Sequence, residues 1–260
     1  MKNIFITTGR KTDEVCFKKA KEIAAEKHID FVSRTGKSLD KLSAEKNCDM
    51  VLLVKKDRLT IKTPGGELFF HPSMAQLRLK RLLKHEPDHM VEAMGLRMGM
   101  TVLDCTLGFA SDAVISAFIS GTKVIGLESN LAVSIVVADG LKHYKSDIED
   151  LQNAMHNIEV INTDCKEYLA AMPDKSVDVV YFDPMFRYPL KKSVSLQPLR
   201  GLANREAVDI GSIRQACRVA RCRVVMKENS KSSEFKRLGF NKTCGGRYSS
   251  VRYGIIDLLK

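Results

Sequence analysis

Short apolar runs alternate with amphipathic stretches along most of the chain, most regularly after about residue 88. Runs rich in Val and Ile predict buried strands, whereas apolar positions that recur every three or four residues predict helices. The predicted strands are 101–105, 123–128, 158–162, 177–183 and 223–227, with closing strands near 240–243 and 251–258, and the predicted helices are 111–120, 131–144, 165–172, 209–218 and 231–237. This alternation predicts an α/β fold with a doubly wound, mostly parallel sheet and a terminal antiparallel hairpin.

The first 87 residues repeat this pattern in a smaller unit. The predicted strands are 3–7, 30–33 and 49–54, the predicted helices are 14–27 and 39–46, and a hairpin is predicted at 58–62 and 67–70. A further helix is expected to begin at Ser73, as its cap, and to run to Lys84. We therefore predict two domains, an amino-terminal α/β module over residues 1–87 and a larger domain over residues 88–260.

Positive charge is concentrated in the amino-terminal module. The whole chain has 42 Lys and Arg against 31 Asp and Glu, a net charge of +11, and residues 1–87 hold 19 of the basic and 11 of the acidic side chains. Such a basic module indicates a polyanionic partner. The alternative is a solvated, lysine-rich surface without a specific partner.

Seven cysteines are spread along the chain without a C-x-x-C pair and without histidines at zinc-finger spacing. This distribution predicts free thiols in a reducing cytoplasm and no structural metal site. The amino terminus has only a short apolar run, and no stretch approaches 18 apolar residues, so we expect neither a signal peptide nor a membrane span.

Carboxylates recur where the predicted strands of the larger domain end. The loop after the first of these strands contains Gly108, which permits a tight turn, but it lacks the G-x-G-x-x-G pattern of dinucleotide sites. Carboxylates at successive strand ends suit a cationic ligand that carries a ribose and an adenine, with Glu128 on the ribose hydroxyls and Asp164 near the adenine amine. S-adenosylmethionine combines these groups. The candidate cofactor residues of these loops are Asp104, Thr106, Gly108, Asp112, Glu128 and Asp164.

The segment Asp183-Pro184-Met185-Phe186 follows an apolar strand and supplies a carboxylate, a rigid imide and an aromatic ring together. A planar base could stack on Phe186 while its amino group donates hydrogen bonds to Asp183 and to the carbonyl of Pro184. These three residues are the candidate catalytic residues. An Asp-Pro pair that only terminates the strand is the alternative.

Residues 102–108, 111–113, 126–129 and 179–186 together resemble class I methyltransferases with a Rossmann-like sheet, most closely the RsmJ family of small-subunit ribosomal RNA guanine-N2 methyltransferases. The likeness covers roughly residues 68–258. It implies S-adenosylmethionine as cofactor and ribosomal RNA, or a small-subunit particle, as partner. The implied cofactor contacts are Ser111, Asp112, Glu128, Ser129, Asp164, Cys165 and Asp183. The chain departs from the family pattern at Ala110, Ser111, Ser129 and Arg187.

Basic side chains before and after the segment 183–186 predict contacts with nucleic acid. The helix from Ser73 has a basic face, although a docked surface helix would show the same pattern, and residues 187–206 form a long basic loop that suggests a lid. The candidate nucleic-acid contacts are Arg78, Arg81, Arg187, Lys191, Lys192 and Lys227. Two alternatives remain, namely methylation of an adenine or cytosine amine in DNA or another RNA, and a catalytically inert nucleic-acid-binding module of the same fold. The missing glycines and the clustered acids disfavour a nicotinamide oxidoreductase.

Overall fold

A computed structural model describes residues 4–10, 12–184, 208–247 and 249–259 of the 260-residue chain. Its strands form two sheets, one of five strands and one of seven. The predicted lid, residues 187–206, and the catalytic candidate Phe186 lie outside the described residues.

The first sheet is built from the amino-terminal residues. Its elements are β1 (Ile4–Thr8), α1 (Glu14–Lys27), β2 (Asp30–Phe31), α2 (Leu39–Lys46), β3 (Met50–Val54), β4 (Leu59–Thr63) and β5 (Gly66–Phe69). The strand order is β2-β1-β3-β4-β5, with β2, β1 and β3 parallel and the predicted hairpin β4–β5 antiparallel. Asp13 and Ser38 cap α1 and α2 by accepting hydrogen bonds from backbone N–H groups.

The second sheet contains the later strands of the described part of the chain. The elements are α3 (Ser73–Leu82), α4 (His89–Met94), β6 (Val102–Asp104), α5 (Ser111–Ser120), β7 (Val124–Leu127), α6 (Leu131–His143), α7 (Glu149–His156), β8 (Ile158–Ile161), α8 (Cys165–Ala171), β9 (Val177–Phe182), α9 (Ile210–Val219), β10 (Ala220–Asn229), α10 (Glu234–Leu238), β11 (Lys242–Cys244) and β12 (Val251–Asp257).

The order of the second sheet is β11-β12-β10-β9-β6-β7-β8. Strands β8, β7, β6, β9 and β10 are parallel, whereas β12 runs antiparallel to both β10 and β11. The predicted α/β fold, with its mostly parallel sheet and terminal antiparallel strands, is confirmed. Two helices, α4 and α7, had not been predicted.

Ser73 does not cap α3, contrary to the prediction. Pro72 occupies the capping position and no side chain accepts a bond there. Proline lacks an N–H group and its φ angle is fixed, so it can precede a helix without an unsatisfied donor of its own. The helix still begins at Ser73, as predicted.

The two sheets are joined by a continuous hydrophobic core. One cluster of buried side chains includes Ile6 and Ile61 of the first sheet together with Val102 and Val179 of the second. At the junction Gly140 of α6 lies against Phe70, and a Cβ atom added to this glycine would lie 2.3 Å from the Phe70 side chain. The division at residues 87 and 88 therefore remains a prediction about folding units, because the largest hydrophobic cluster includes residues of both sheets.

Among the residues that the structure describes, no helix is both long enough and apolar enough to span a membrane.

Candidate functional site

The centre of the second sheet is a topological switch point. Strands β6 and β9 are neighbours, and from them the chain proceeds outward in opposite directions, through β7 and β8 on one side and β10 on the other. In open α/β sheets, ligands bind in the crevice beyond the carboxyl ends of such strands. Asp104 at the end of β6 and Asp183 directly after β9 lie at this crevice.

Thr106 links these two strand ends. Its N–H group donates to Asp104 Oδ1 at 3.0 Å, and its Oγ1 accepts a short hydrogen bond from the N–H group of Asp183. Asp104 is buried, and burial raises the pKa of its carboxyl to about 8, with the nearby carboxylates of Asp112 and Asp183 adding to the effect. Asp104 is therefore mainly protonated at neutral pH unless a cation binds beside it.

Asp112, in the first turn of α5, is the centre of a buried ion-pair network. It accepts hydrogen bonds from Tyr181 Oη at 2.8 Å and from Lys227 Nζ at 3.2 Å, and it pairs with the Arg78 guanidinium. Burial alone would favour the protonated acid, but Lys227 and Arg78 outweigh it and hold the pKa of Asp112 well below its usual range. Asp112 is thus ionised and already neutralised by the protein's own cations.

Arg78 connects α3 with the start of α4. Its Nε and Nη2 atoms donate to the Asp88 carboxylate at 2.8 and 3.0 Å, and Asp88 also caps α4. The Arg78 side chain is only 17% exposed. The guanidinium is held by Asp88 and Asp112, and its contact with nucleic acid stays a prediction.

Lys227 is the second cation of the network. Parallel pairing of β9 and β10 places Met226 opposite Phe182, so that the next residues, Lys227 and Asp183, lie side by side with Nζ and Oδ2 2.7 Å apart. Burial opposes the charge on Lys227, but Asp112 and Asp183 outweigh it and raise the pKa of the ammonium. Lys227 was also predicted to contact nucleic acid; its ammonium pairs with Asp112 and Asp183, and the contact with nucleic acid stays a prediction.

Asp183 remains the most accessible carboxylate of the network. Its side chain is 28% exposed, against 10% for Asp112. Burial raises the pKa of Asp183 to about 6 although Lys227 opposes the shift, and the Asp112 charge adds to the increase. At neutral pH this carboxylate is mostly ionised, and it can accept hydrogen bonds from a ligand in the crevice.

Glu128 follows β7 and closes the other side of the crevice. Its Oε2 accepts from the N–H group of Gly108 at 3.1 Å and its Oε1 from that of Asn130 at 2.7 Å, while burial raises its pKa. Gly108 has a φ angle of +52°, which glycine adopts without strain and which turns the β6–α5 loop toward Glu128. Each carboxylate oxygen retains acceptor capacity, so a ribose diol can bind here.

The remaining candidate cofactor residues lie on the neighbouring loops. Asp164 caps α8 through the N–H group of Lys166 at 2.8 Å, and Cys165 begins that helix with its pKa raised by burial to about 11. Ser111 begins α5, where the N–H groups have no side-chain cap, and Ser129 is exposed beside Glu128. The structure thus distributes these residues around the same sheet edge.

Several predicted residues are not tested by this geometry. Pro184 is half-buried next to Asp183, and Arg81 is exposed on α3, where it pairs with Glu86 at 2.7 Å. The other predicted residues lie outside the described part of the chain; they are Phe186, Arg187, Lys191 and Lys192.

Two residues of the network were missed in the sequence. Tyr181 had been assigned only to an apolar strand, yet it lies two positions before Asp183 and therefore faces the same side of β9. That spacing was a usable signal. Asp88 offered another signal, since Met90, Ala93 and Met94 after it have the spacing of a short buried helix face.

Comparisons with known proteins agree with this geometry. Residues 37–250 match the family described as "Putative SAM-dependent methyltransferase". "Uncharacterized protein YpiP" of Bacillus subtilis is 41% identical over 257 residues, which are 97% of this chain and 98% of that protein. Ribosomal RNA small subunit methyltransferase J of Shewanella amazonensis is 28% identical over 196 residues, 72% of this chain and 78% of that protein. A solved SAM-dependent methyltransferase from Neisseria gonorrhoeae shares the fold, with a TM-score of 0.66, 17% identity and coverage of 97% of this chain and 95% of its own.

Proposed function

The chain belongs to the SAM-dependent methyltransferase family, and we propose that it methylates an exocyclic amine of a base in RNA, namely N2 of a guanine in small-subunit ribosomal RNA. Asp183 carries this proposal. It presents an ionisable, partly exposed carboxylate at the switch point, fixed by Lys227 at 2.7 Å and by the bond from its backbone to Thr106.

The donor set of the crevice fits S-adenosylmethionine. Glu128 has acceptor capacity for the ribose hydroxyls, the uncapped start of α5 offers N–H groups to a carboxylate, and Asp104 offers a carboxyl group to a cation. Asp164 and Cys165, at the start of α8, border the expected adenine position. The bound cofactor supplies a methyl group that is electrophilic because the adjoining sulfur is a sulfonium.

The acceptor side requires positioning more than strong base catalysis. The lone pair of a guanine amine is delocalised into the ring, so the amine must be oriented toward the methyl carbon for an in-line displacement. In the proposed mechanism Asp183 and the carbonyl of Pro184 accept the two N–H bonds of this amine, and Phe186 stacks on the base. The C–N bond would form as the methyl–sulfur bond breaks, with the sulfur keeping that electron pair, and the amine would then lose a proton to water or transiently to Asp183.

Charge and surface chemistry support an RNA substrate. The chain has a net charge of +11, and two named relatives are ribosomal RNA small subunit methyltransferases J. Helix α3 connects the site with the surface, because Arg78 enters the ion-pair network while other residues of the same helix are exposed. The exposed side chains are both cationic and apolar; they are Met74, Leu77, Lys80 and Arg81, with Lys84 just after the helix.

The substrate is tested by mass spectrometry of nucleosides from small-subunit ribosomal RNA, with and without the gene for this chain. The proposal predicts that one N2-methylguanosine disappears in the deletion strain and returns on complementation. Loss of a methylated adenine or cytosine instead would support the other amine acceptors. Unchanged modification of the small-subunit RNA would refute the ribosomal substrate.

A further inference from the structure

Three potential metal ligands meet on the surface of the second sheet, outside the crevice described above. They are His89 and Glu92 of α4 and Cys244, the last residue of β11. Their ligand atoms all lie within 4.8 Å of one another. His89 Nδ1 is 2.9 Å from Glu92 Oε2, and Cys244 Sγ is 3.8 Å from the same oxygen.

The backbone arranges these three side chains. His89 and Glu92 are three positions apart and therefore share one face of α4. This helix packs against β11 and β12, which brings Cys244 to that face, and Cys244 Sγ also lies 3.8 Å from the His89 carbonyl oxygen. A Cβ atom added to Gly246 would lie 3.2 Å from His89 Nε2, so one edge of the imidazole abuts the backbone while Nδ1 faces Glu92.

We propose that His89, Glu92 and Cys244 bind a zinc ion. Imidazole nitrogen, carboxylate oxygen and thiolate sulfur are the ligands that zinc prefers, whereas calcium and magnesium prefer oxygen ligands throughout. Zinc takes these ligands at about 2.0–2.3 Å, so in a tetrahedral site they lie roughly 3.2–3.8 Å from one another. The present spacings reach that geometry through side-chain rotations. The Cys244 thiol releases its proton to solvent on binding, and water completes the fourth position.

Zinc at this position would stabilise helix α4, which begins next to Asp88 of the ion-pair network. Helix α4 begins directly after Asp88, which both caps it and holds Arg78. Bridging His89 and Glu92 to Cys244 fixes α4 on β11, and so fixes the position of Asp88. Cys244 lies 155 residues from His89, so no local spacing in the sequence indicates the site. The proposal is independent of the methyl acceptor.

The test is a titration of the chelator-treated full chain with Zn²⁺ by calorimetry, together with Co²⁺ absorption spectroscopy. We expect one metal ion per chain and a near-ultraviolet band from a thiolate–cobalt bond. Cys244→Ser should remove the band and weaken Zn²⁺ binding by more than about tenfold, a loss that even changes outside the ligand shell can produce. Cys222→Ser, which changes a half-buried cysteine outside the cluster, should leave both unchanged.

His89→Ala provides a second variant at an exposed position in case Cys244→Ser does not fold. It should keep the thiol but weaken Zn²⁺ binding to the same degree, and zinc should slow amide exchange in α4 of the wild type but not of this variant. Absence of zinc binding to the wild type would overturn the proposal. Equal binding by wild type and His89→Ala, or equal loss with Cys222→Ser, would also overturn it.

Discussion

Replacing Lys227 with methionine tests whether this half-buried cation keeps Asp183 ionised. Lys227 Nζ lies 2.7 Å from Asp183 and 3.2 Å from Asp112. Removing one partner of a buried ion pair costs about 3–5 kcal/mol. Because the Asp183 side chain is 28% exposed, solvent screening leaves roughly half of that cost, about 1.5–2.5 kcal/mol, on this carboxylate. At about 1.4 kcal/mol per pH unit, this loss raises the pKa of Asp183 by about one to two pH units.

The direction of the change in activity follows from the role of Asp183 as an acceptor. Transfer requires the carboxylate, so wild-type activity should fall as pH drops through the Asp183 pKa, which burial raises to about 6. In Lys227→Met the acidic limb of the pH–rate profile should shift upward by about one to two pH units. The variant should therefore lose activity at neutral pH and regain it at alkaline pH. Lys227→Arg retains the charge and should restore most of the wild-type profile.

The assay is transfer of a labelled methyl group from S-adenosylmethionine to small-subunit ribosomal RNA across pH 5.5–9, on variants shown to be folded by circular dichroism. Cofactor affinity is measured on the same samples, so that a binding defect is not mistaken for a shift in protonation. An acidic limb at the wild-type position in folded Lys227→Met would refute the assigned role of the lysine. A loss of activity that does not depend on pH would refute it as well.

Three further changes test other parts of the structure. Glu128→Gln should weaken S-adenosylmethionine binding by about 10- to 100-fold in calorimetry, the effect of losing a charged hydrogen-bond acceptor, and unchanged affinity would exclude Glu128 from the ribose site. Gly140→Ala places a Cβ atom 2.3 Å from Phe70 and should cost about 1–3 kcal/mol, seen as a lower melting temperature; an unchanged melting temperature would contradict the packing between the sheets. Reversing both charges of Arg81 and Lys84 should weaken RNA binding and flatten its salt dependence without changing cofactor affinity, whereas an unchanged RNA affinity would exclude this surface at the end of α3.

Much of the fold was predictable because strand and helix periodicities are local. The strand predicted at 177–183 is observed at Val177–Phe182, and the helices predicted at 14–27 and 39–46 have those limits. Helix α4 was missed because it is too short for a clear periodic signal. Helix α7 has a periodic buried face, but no side-chain cap marks its start.

The site was predictable only in part. Chain order indicates which strand ends share an edge, and this placed Asp104, Glu128 and Asp183 at one crevice. The pairing of Asp112 with Arg78, 34 residues away, and with Lys227, 115 residues away, depends on how α3, α5 and β10 pack. For this reason the sequence indicated an acidic pocket, whereas the folded protein neutralises much of that acidity with its own cations.

The most direct test of the account is methyl transfer by the purified wild type and by Asp183→Asn to small-subunit ribosomal RNA, with the product identified after digestion to nucleosides. The account predicts that the wild type forms N2-methylguanosine and that Asp183→Asn loses at least about 100-fold of this activity while its RNA affinity is unchanged. Formation of N2-methylguanosine by Asp183→Asn at the wild-type rate would contradict it.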